Sequence, residues 1–95
     1  MATFIMTGKL SADSVKLISA ERTVQANRIF QQCGGAILSG YATLGETDFL
    51  VVAELPGIAE AMKVSIELNK ALGISFVTMP ALPIDDFDKL VAGKP

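Results

Sequence analysis

The sequence predicts a small α+β domain: four strands in one antiparallel sheet with two helices on one face, in the chain order β-α-β-β-α-β. Three observations carry this. Glycines at Gly8, Gly34-Gly35, Gly45 and Gly73, with Pro56-Gly57, cut the 95 residues into pieces of strand or helix length. Pieces rich in β-branched and aromatic residues are separated by two longer ones whose apolar residues recur three and four apart. The two middle strand pieces are joined by Gly45-Glu46-Thr47-Asp48, a turn sequence too short to hold a helix. The length allows a single domain, residues 1–95, with an expected radius of gyration of about 12 Å; its core is expected over residues 2–82, with residues 83–95 as a C-terminal tail.

Each element follows from local chemistry. Ala2 to Thr7 is a first strand closed by Gly8-Lys9. Ser11 offers an N-cap with Asp13 in the first turn and Val15 and Ile18 behind it; Ser19-Ala20-Glu21-Arg22 marks a break, after which Ala26, Ile29, Phe30 and Cys33 continue a helical stripe. Gly34-Gly35 stops that helix. A second strand spans Ala36 to Leu44, and the hairpin leads into Phe49 to Glu54. Pro56-Gly57 opens a second helix that runs to about Leu72 and stops at Gly73. The last strand, Ile74 to Met79, ends at Pro80, and the tail carries a short acidic turn at Asp85, Asp86 and Asp88. This order is that of the ferredoxin-like split βαβ arrangement.

The strands do not alternate apolar with polar. Phe49, Val51 and Ala53 fall on one face of their strand and Leu50 and Val52 on the other, whereas an antiparallel sheet with one wet face reads apolar-in, polar-out. The helices cover one face; the expectation is that a second copy of the sheet covers the other, giving a homo-oligomer. If about 500 Å² of apolar surface per subunit were buried there, the contribution would be on the order of 12 kcal/mol before entropic costs. On the second helix, Glu60, Lys63, Glu67 and Lys70 form a solvent strip. Ile58, Ala61, Met62, Leu68 and Leu72 are expected to face the sheet, leaving Val64, Ile66 and Ala71 on the flanks.

Composition excludes several classes. There is one cysteine and no histidine, which removes an internal disulfide, a Cys/His zinc cluster, a histidine-based triad and His-ligated iron. Eight Lys/Arg against ten Asp/Glu give a net charge of −2, with no basic cluster to neutralise a phosphate backbone, so a nucleic-acid partner is not expected. The N-terminal apolar run ends at Gly8-Lys9, unlike a signal peptide, and the charge-free stretch Ile29–Gly45 is broken by glutamines and glycines, unlike a membrane span. The reading is of a cytoplasmic protein with a reduced Cys33, without metal or cofactor.

Gly8-Lys9, Gly34-Gly35, Tyr41 through Asp48 across the hairpin, and Leu55-Pro56 before the second helix together resemble the GYD domain family of small bacterial and archaeal proteins. The resemblance covers residues 2–82. Of the family's Gly-x-Tyr-Asp signature, Gly45, Glu46 and Asp48 match in place, while Thr47 stands where the tyrosine belongs. The resemblance implies a ferredoxin-like domain that pairs sheet to sheet, as in dimeric α+β barrels.

The candidate site residues are Asp48, Tyr41 and Arg22. A carboxylate at the base of a hairpin serves as a general base if a pocket raises its pKa, though aspartate at a turn end more often accepts backbone N–H groups. Tyr41, the sole tyrosine, sits on a strand face that borders the inter-sheet space, as a ligand-orienting hydroxyl or an interface anchor. Arg22 could clamp an anion or pair as an ordinary helix-surface charge. Cys33, near a helix C-terminus, reads as a small apolar residue, and Asp85, Asp86 and Asp88 lack the spacing of a calcium loop. Three functions follow: a non-catalytic oligomeric module that binds a small molecule or regulates; a cofactor-free oxygenase or isomerase with an inter-sheet pocket; and a structural or protein-interaction module.

Overall fold

The computed structural model describes residues 1–12 and 19–93. β1 (Ala2–Leu10), β2 (Ala36–Ala42), β3 (Phe49–Leu55) and β4 (Ile74–Ala81) form one antiparallel sheet. Its order is β2-β3-β1-β4, with β1 and β3 central, and α1 (Ala20–Gln32) and α2 (Ile58–Leu72) supply the two crossovers. This is the ferredoxin-like order expected from the sequence. A third helix, α3 (Ile84–Val91), follows β4.

β1 continues past the glycine expected to end it. Gly8 pairs with Phe49 on one side and Phe76 on the other, and a Cβ there would stand 2.6 Å from the Phe76 ring. The glycine therefore lets an aromatic side chain close over the backbone and does not mark a turn. At the far end of the first crossover, Gly34 has φ +82°, the left-handed conformation glycine adopts freely at a helix end. A Cβ on Gly35 would overlap the Glu54 carbonyl, so glycine is required where α1 hands over to β2. Of the first helix as expected, α1 supplies residues from Ala20 onward, with Ser19 extended at its N-cap; Asp13, Val15 and Ile18 lie outside the described residues.

β2 stops at Ala42 instead of Leu44, and the β2–β3 connection is six residues long. Thr43 N–H donates to the Asp48 carbonyl (2.8 Å) and Thr43 Oγ1 to the Thr47 carbonyl (2.7 Å), so the loop closes on itself two residues before the strand was expected to end. A bulge between Ile37 and Ser39 interrupts β2, and β4 runs through Pro80 to Ala81. Proline is admitted because β4 is an edge strand.

Phe4, Met6, Ala53, Leu55 and Ile74 from the sheet, Ile29 and Phe30 from α1, and Ala61, Val64, Leu68 and Leu72 from α2 make the core. The buried stripe of α2 corrects the expected one: Val64 is fully buried, while Ile58 and Met62 are exposed with Ile66. Starting from Ala61, the positions that meet the sheet fall at 64, 65, 68 and 72. Ser65 hydrogen-bonds Thr78 at 2.7 Å, which sets position 65 against β4, and the 58-62-66 row lies outward. Gly73, at φ +68°, donates its N–H to the Asn69 carbonyl (2.9 Å) and ends α2.

The tail also differs. It is a helix and not an acidic turn: Pro83 precedes the first turn, Asp85 and Asp86 occupy it, and Lys89 lies in the last, each the charge that the helix dipole favours. None of its residues is buried. The Cα radius of gyration is 14.5 Å and the longest dimension 51 Å, well above the roughly 12 Å radius of a ball-like chain of this length.

Candidate functional site

The two faces of the sheet have different chemistry. Pairing places Phe4, Met6, Gly8, Val51 and Phe76 under the helices. On the other face stand Ile5, Thr7, Leu50, Val52, Val77 and Met79, with Tyr41 opposite Leu50. Among the described residues no helix covers this second face, and Tyr41, Val77 and Met79 are exposed on it.

A half-open cavity of about 400 Å³ lies between α1 and the helix-side face of the sheet. Its floor is apolar: Leu10, Ile37, Phe49, Val51, Ile74 and Phe76. Polar groups collect on one lip, where successive turns of α1 bring Ser19, Arg22, Thr23 and Asn27 together above Gly40–Ala42 of β2. Gly40 borders this space, and a Cβ built there meets nothing within 4 Å.

Arg22 and Tyr41 both border this cavity. Arg22 donates to the Leu72 carbonyl at the C-terminus of α2, where a cation complements the exposed carbonyls, and so ties the lip to the neighbouring helix. Tyr41 belongs by register to the open face of the sheet, and its segment forms the β2 edge of the cavity.

Asp48 is placed elsewhere. Its Oδ2 accepts the Leu10 N–H at 2.8 Å, and its own N–H donates to the Gly8 carbonyl at 2.8 Å. β3 begins opposite Gly8, so Leu10 has no β3 residue across from it, and the carboxylate supplies the missing acceptor. Lys9 Nζ adds a bond to the Glu46 carbonyl (3.1 Å). Thr47, at the position of the family's tyrosine, approaches Thr43 hydroxyl to hydroxyl (3.4 Å) inside the same loop. The signature segment thus clips the β2–β3 connection to the end of β1.

Sequence reasoning missed Ser19, Thr23 and Asn27 as lip residues. The spacing of four could have shown Thr23 and Asn27, which share one side of α1; Ser19, the extended N-cap, carries no such signal. Cys33 caps α1 and packs partly buried against the core. Among the described residues no three Cys, Asp or Glu side chains are grouped to hold a metal ion, and no helix is long and apolar enough to cross a membrane.

Comparison with known proteins bears on the fold and the family. The solved structure of the leucine response regulatory protein LrpA of Mycobacterium tuberculosis is similar, with a TM-score of 0.57 over 86% of this chain at 7% identity. The chain spans about half of that protein, 51% of its length, and at this identity the likeness is one of fold. No curated protein matches the sequence. The model of the GYD domain matches residues 4–91, from the first core residue of β1 through the last residue of α3, and the chain belongs to the GYD domain family.

Proposed function

We propose that the protein is an oligomeric, non-catalytic module that binds a small, largely apolar molecule and regulates through it. The observation that carries this is the cavity under α1: an apolar floor of about 400 Å³ with hydroxyl, amide and guanidinium groups gathered on one lip. Its size and lining are those of a small-molecule site, and the lip suits a compound with one polar or anionic end. The uncovered apolar sheet face supports the oligomer, because a contiguous exposed patch of this kind marks an interaction surface. That the fold is shared with a regulatory protein supports the regulatory part by analogy of fold.

Asp48 fits the binding reading better than the enzymatic one, since its carboxylate is engaged with a backbone N–H. Tyr41, on the open face by register and at the β2 edge of the cavity, serves as an interface anchor beside the ligand.

Native mass spectrometry of the purified chain, followed by titration with the anionic fluorophore 8-anilinonaphthalene-1-sulfonate, tests the proposal. The expected result is an even-numbered oligomer that binds the fluorophore. Gly40→Leu, which puts a side chain into the cavity from its β2 side, should weaken that binding at least tenfold without changing subunit number. A monomer, or binding indifferent to Gly40→Leu, would overturn it.

A further inference from the structure

The cavity under α1 is charged in one sense only. Among the described residues that line it, Arg22 is the one charged side chain, and no aspartate or glutamate is present; Glu21, beside it in the first turn of α1, is not part of the lining. Arg22 is half-buried. Its bond to the Leu72 carbonyl holds the guanidinium at the lip through a contact that engages one N–H of the five such a group carries. The hydroxyls of Ser19 and Thr23 share that lip, and the Asn27 amide donates to the Thr23 carbonyl (3.1 Å). The lip therefore holds one positive charge, and the side-chain acceptors on it, hydroxyl and amide oxygens, are neutral.

The floor is the incompletely covered part of the domain's core. Among the described residues, seven apolar side chains pack partly buried against the core, and six of them, Leu10, Ala26, Ile37, Phe49, Val51 and Phe76, line this cavity. Only Cys33 lies outside it. The apolar surface the core leaves uncovered is thus gathered in one concavity, two phenyl rings included, as in a site for a small apolar body with one polar end. A volume of about 400 Å³ corresponds to roughly thirteen waters at about 30 Å³ each, which sets the occupant at about a dozen non-hydrogen atoms. Charge then sorts the possible heads. A carboxylate matches the planar guanidinium fork with two parallel bonds, whereas an ammonium would give up its hydration beside a like charge with no carboxylate to pair it.

We infer that the ligand is an apolar monocarboxylate without an amino group, its carboxylate on Arg22 and its hydrocarbon part against Phe49 and Phe76. The inference rests on the small-molecule reading above and fixes the head group that reading leaves open, excluding amines and amino acids.

Four probes on one carbon skeleton test it: 4-phenylbutyrate, its neutral amide, the cationic 4-phenylbutylamine and the zwitterion 2-amino-4-phenylbutyrate. Each is titrated into the full chain at neutral pH and followed in nitrogen–proton correlation spectra. The expected order is the carboxylate first, the amide at least tenfold weaker, and the amine and the amino acid weaker still, with the shifts centred on Thr23, Asn27 and Ala42. Arg22→Met, which keeps an apolar stem and drops the charge, should bring the carboxylate down to the affinity of the amide while the amide itself is unchanged; Arg22→Gln, which retains an N–H donor, replaces it if the methionine variant loses the native circular dichroism. The carboxylate is overturned if any of the other three probes binds as tightly, if the carboxylate keeps its lead in the uncharged variant, or if the shifts lie away from α1 and β2. If none of the four binds while the fluorophore still binds in a Gly40-dependent way, the carboxylate falls and the small-molecule site stands. A chain that binds neither the probes nor the fluorophore overturns both.

Discussion

At Gly8 a single hydrogen decides the packing of the sheet. The Phe76 ring occupies the place where a Cβ would stand, 2.6 Å away, and Ile74 backs it, so Gly8→Ala forces the ring off its site; the expected loss is about 1–3 kcal/mol, read as a lower urea midpoint. Asp48 poses the opposite question, whether a signature carboxylate is chemical or structural. Because it replaces a strand partner for Leu10, Asp48→Ala should cost about 1.5–3 kcal/mol, while Asp48→Asn, which keeps a carbonyl acceptor, should retain most of the stability. Equal loss in the two variants would assign the effect to charge and not to the bond. Asp48 was legible as a turn-end carboxylate that accepts a backbone N–H, but not which N–H; Gly8 reads as a strand end until the strand across from it is known. Both partners lie about 40 to 70 residues away in the chain.

The helices show what periodicity reveals and where it stops. The stripe Ala26, Ile29, Phe30 and Cys33 was legible because one side of α1 meets one sheet and its polar residues fall on the other. On α2 too many positions are apolar for the pattern to choose a face: Ile58, Met62 and Ile66 are as hydrophobic as Ala61, Val64 and Leu68, and the face that meets the sheet is the one with Ser65 bonded to Thr78. The consequence is measurable along a single helix. Leu68→Ala should destabilise by about 2–5 kcal/mol, whereas Met62→Ala, one and a half turns earlier and exposed, should stay within about 0.5 kcal/mol. Gly73→Ala, which forces a Cβ into the left-handed cap of the same helix, should cost about 1 kcal/mol. In α3 the signals were present, with Pro83 before the first turn, aspartates within it and apolar residues three apart. The three aspartates drew the eye to a turn, and a run of eight residues offered too little repetition to outweigh them. The cavity was legible in neither helix nor strand, because its lining comes from α1 and from all four strands, segments far apart in the chain.

For the whole molecule, the sequence carried the order of elements and the excess of apolar residues over what one small core can hide. Both reappear in the ferredoxin-like sheet and its uncovered face. If that face closes on a second copy, the association is driven by apolar burial and should respond to salts accordingly. Sodium sulfate, which favours burial, should tighten the pair, and sodium chloride at moderate concentration should leave it nearly unchanged, because few charges face each other. Sedimentation equilibrium across the two salts reads this directly; strong weakening by sodium chloride would point to an ionic contact instead.

The two outer strands are each spoiled as templates. β2 carries its bulge at Ile37/Ser39, and β4 carries Pro80, so neither rim offers an unbroken row of backbone donors and acceptors to a foreign strand. A chain this rich in β-forming residues would otherwise be exposed to ribbon-like polymerisation. With both rims blunted, edge-to-edge growth is disfavoured, and pairing of the bare side, as proposed, is a contact that closes after two copies.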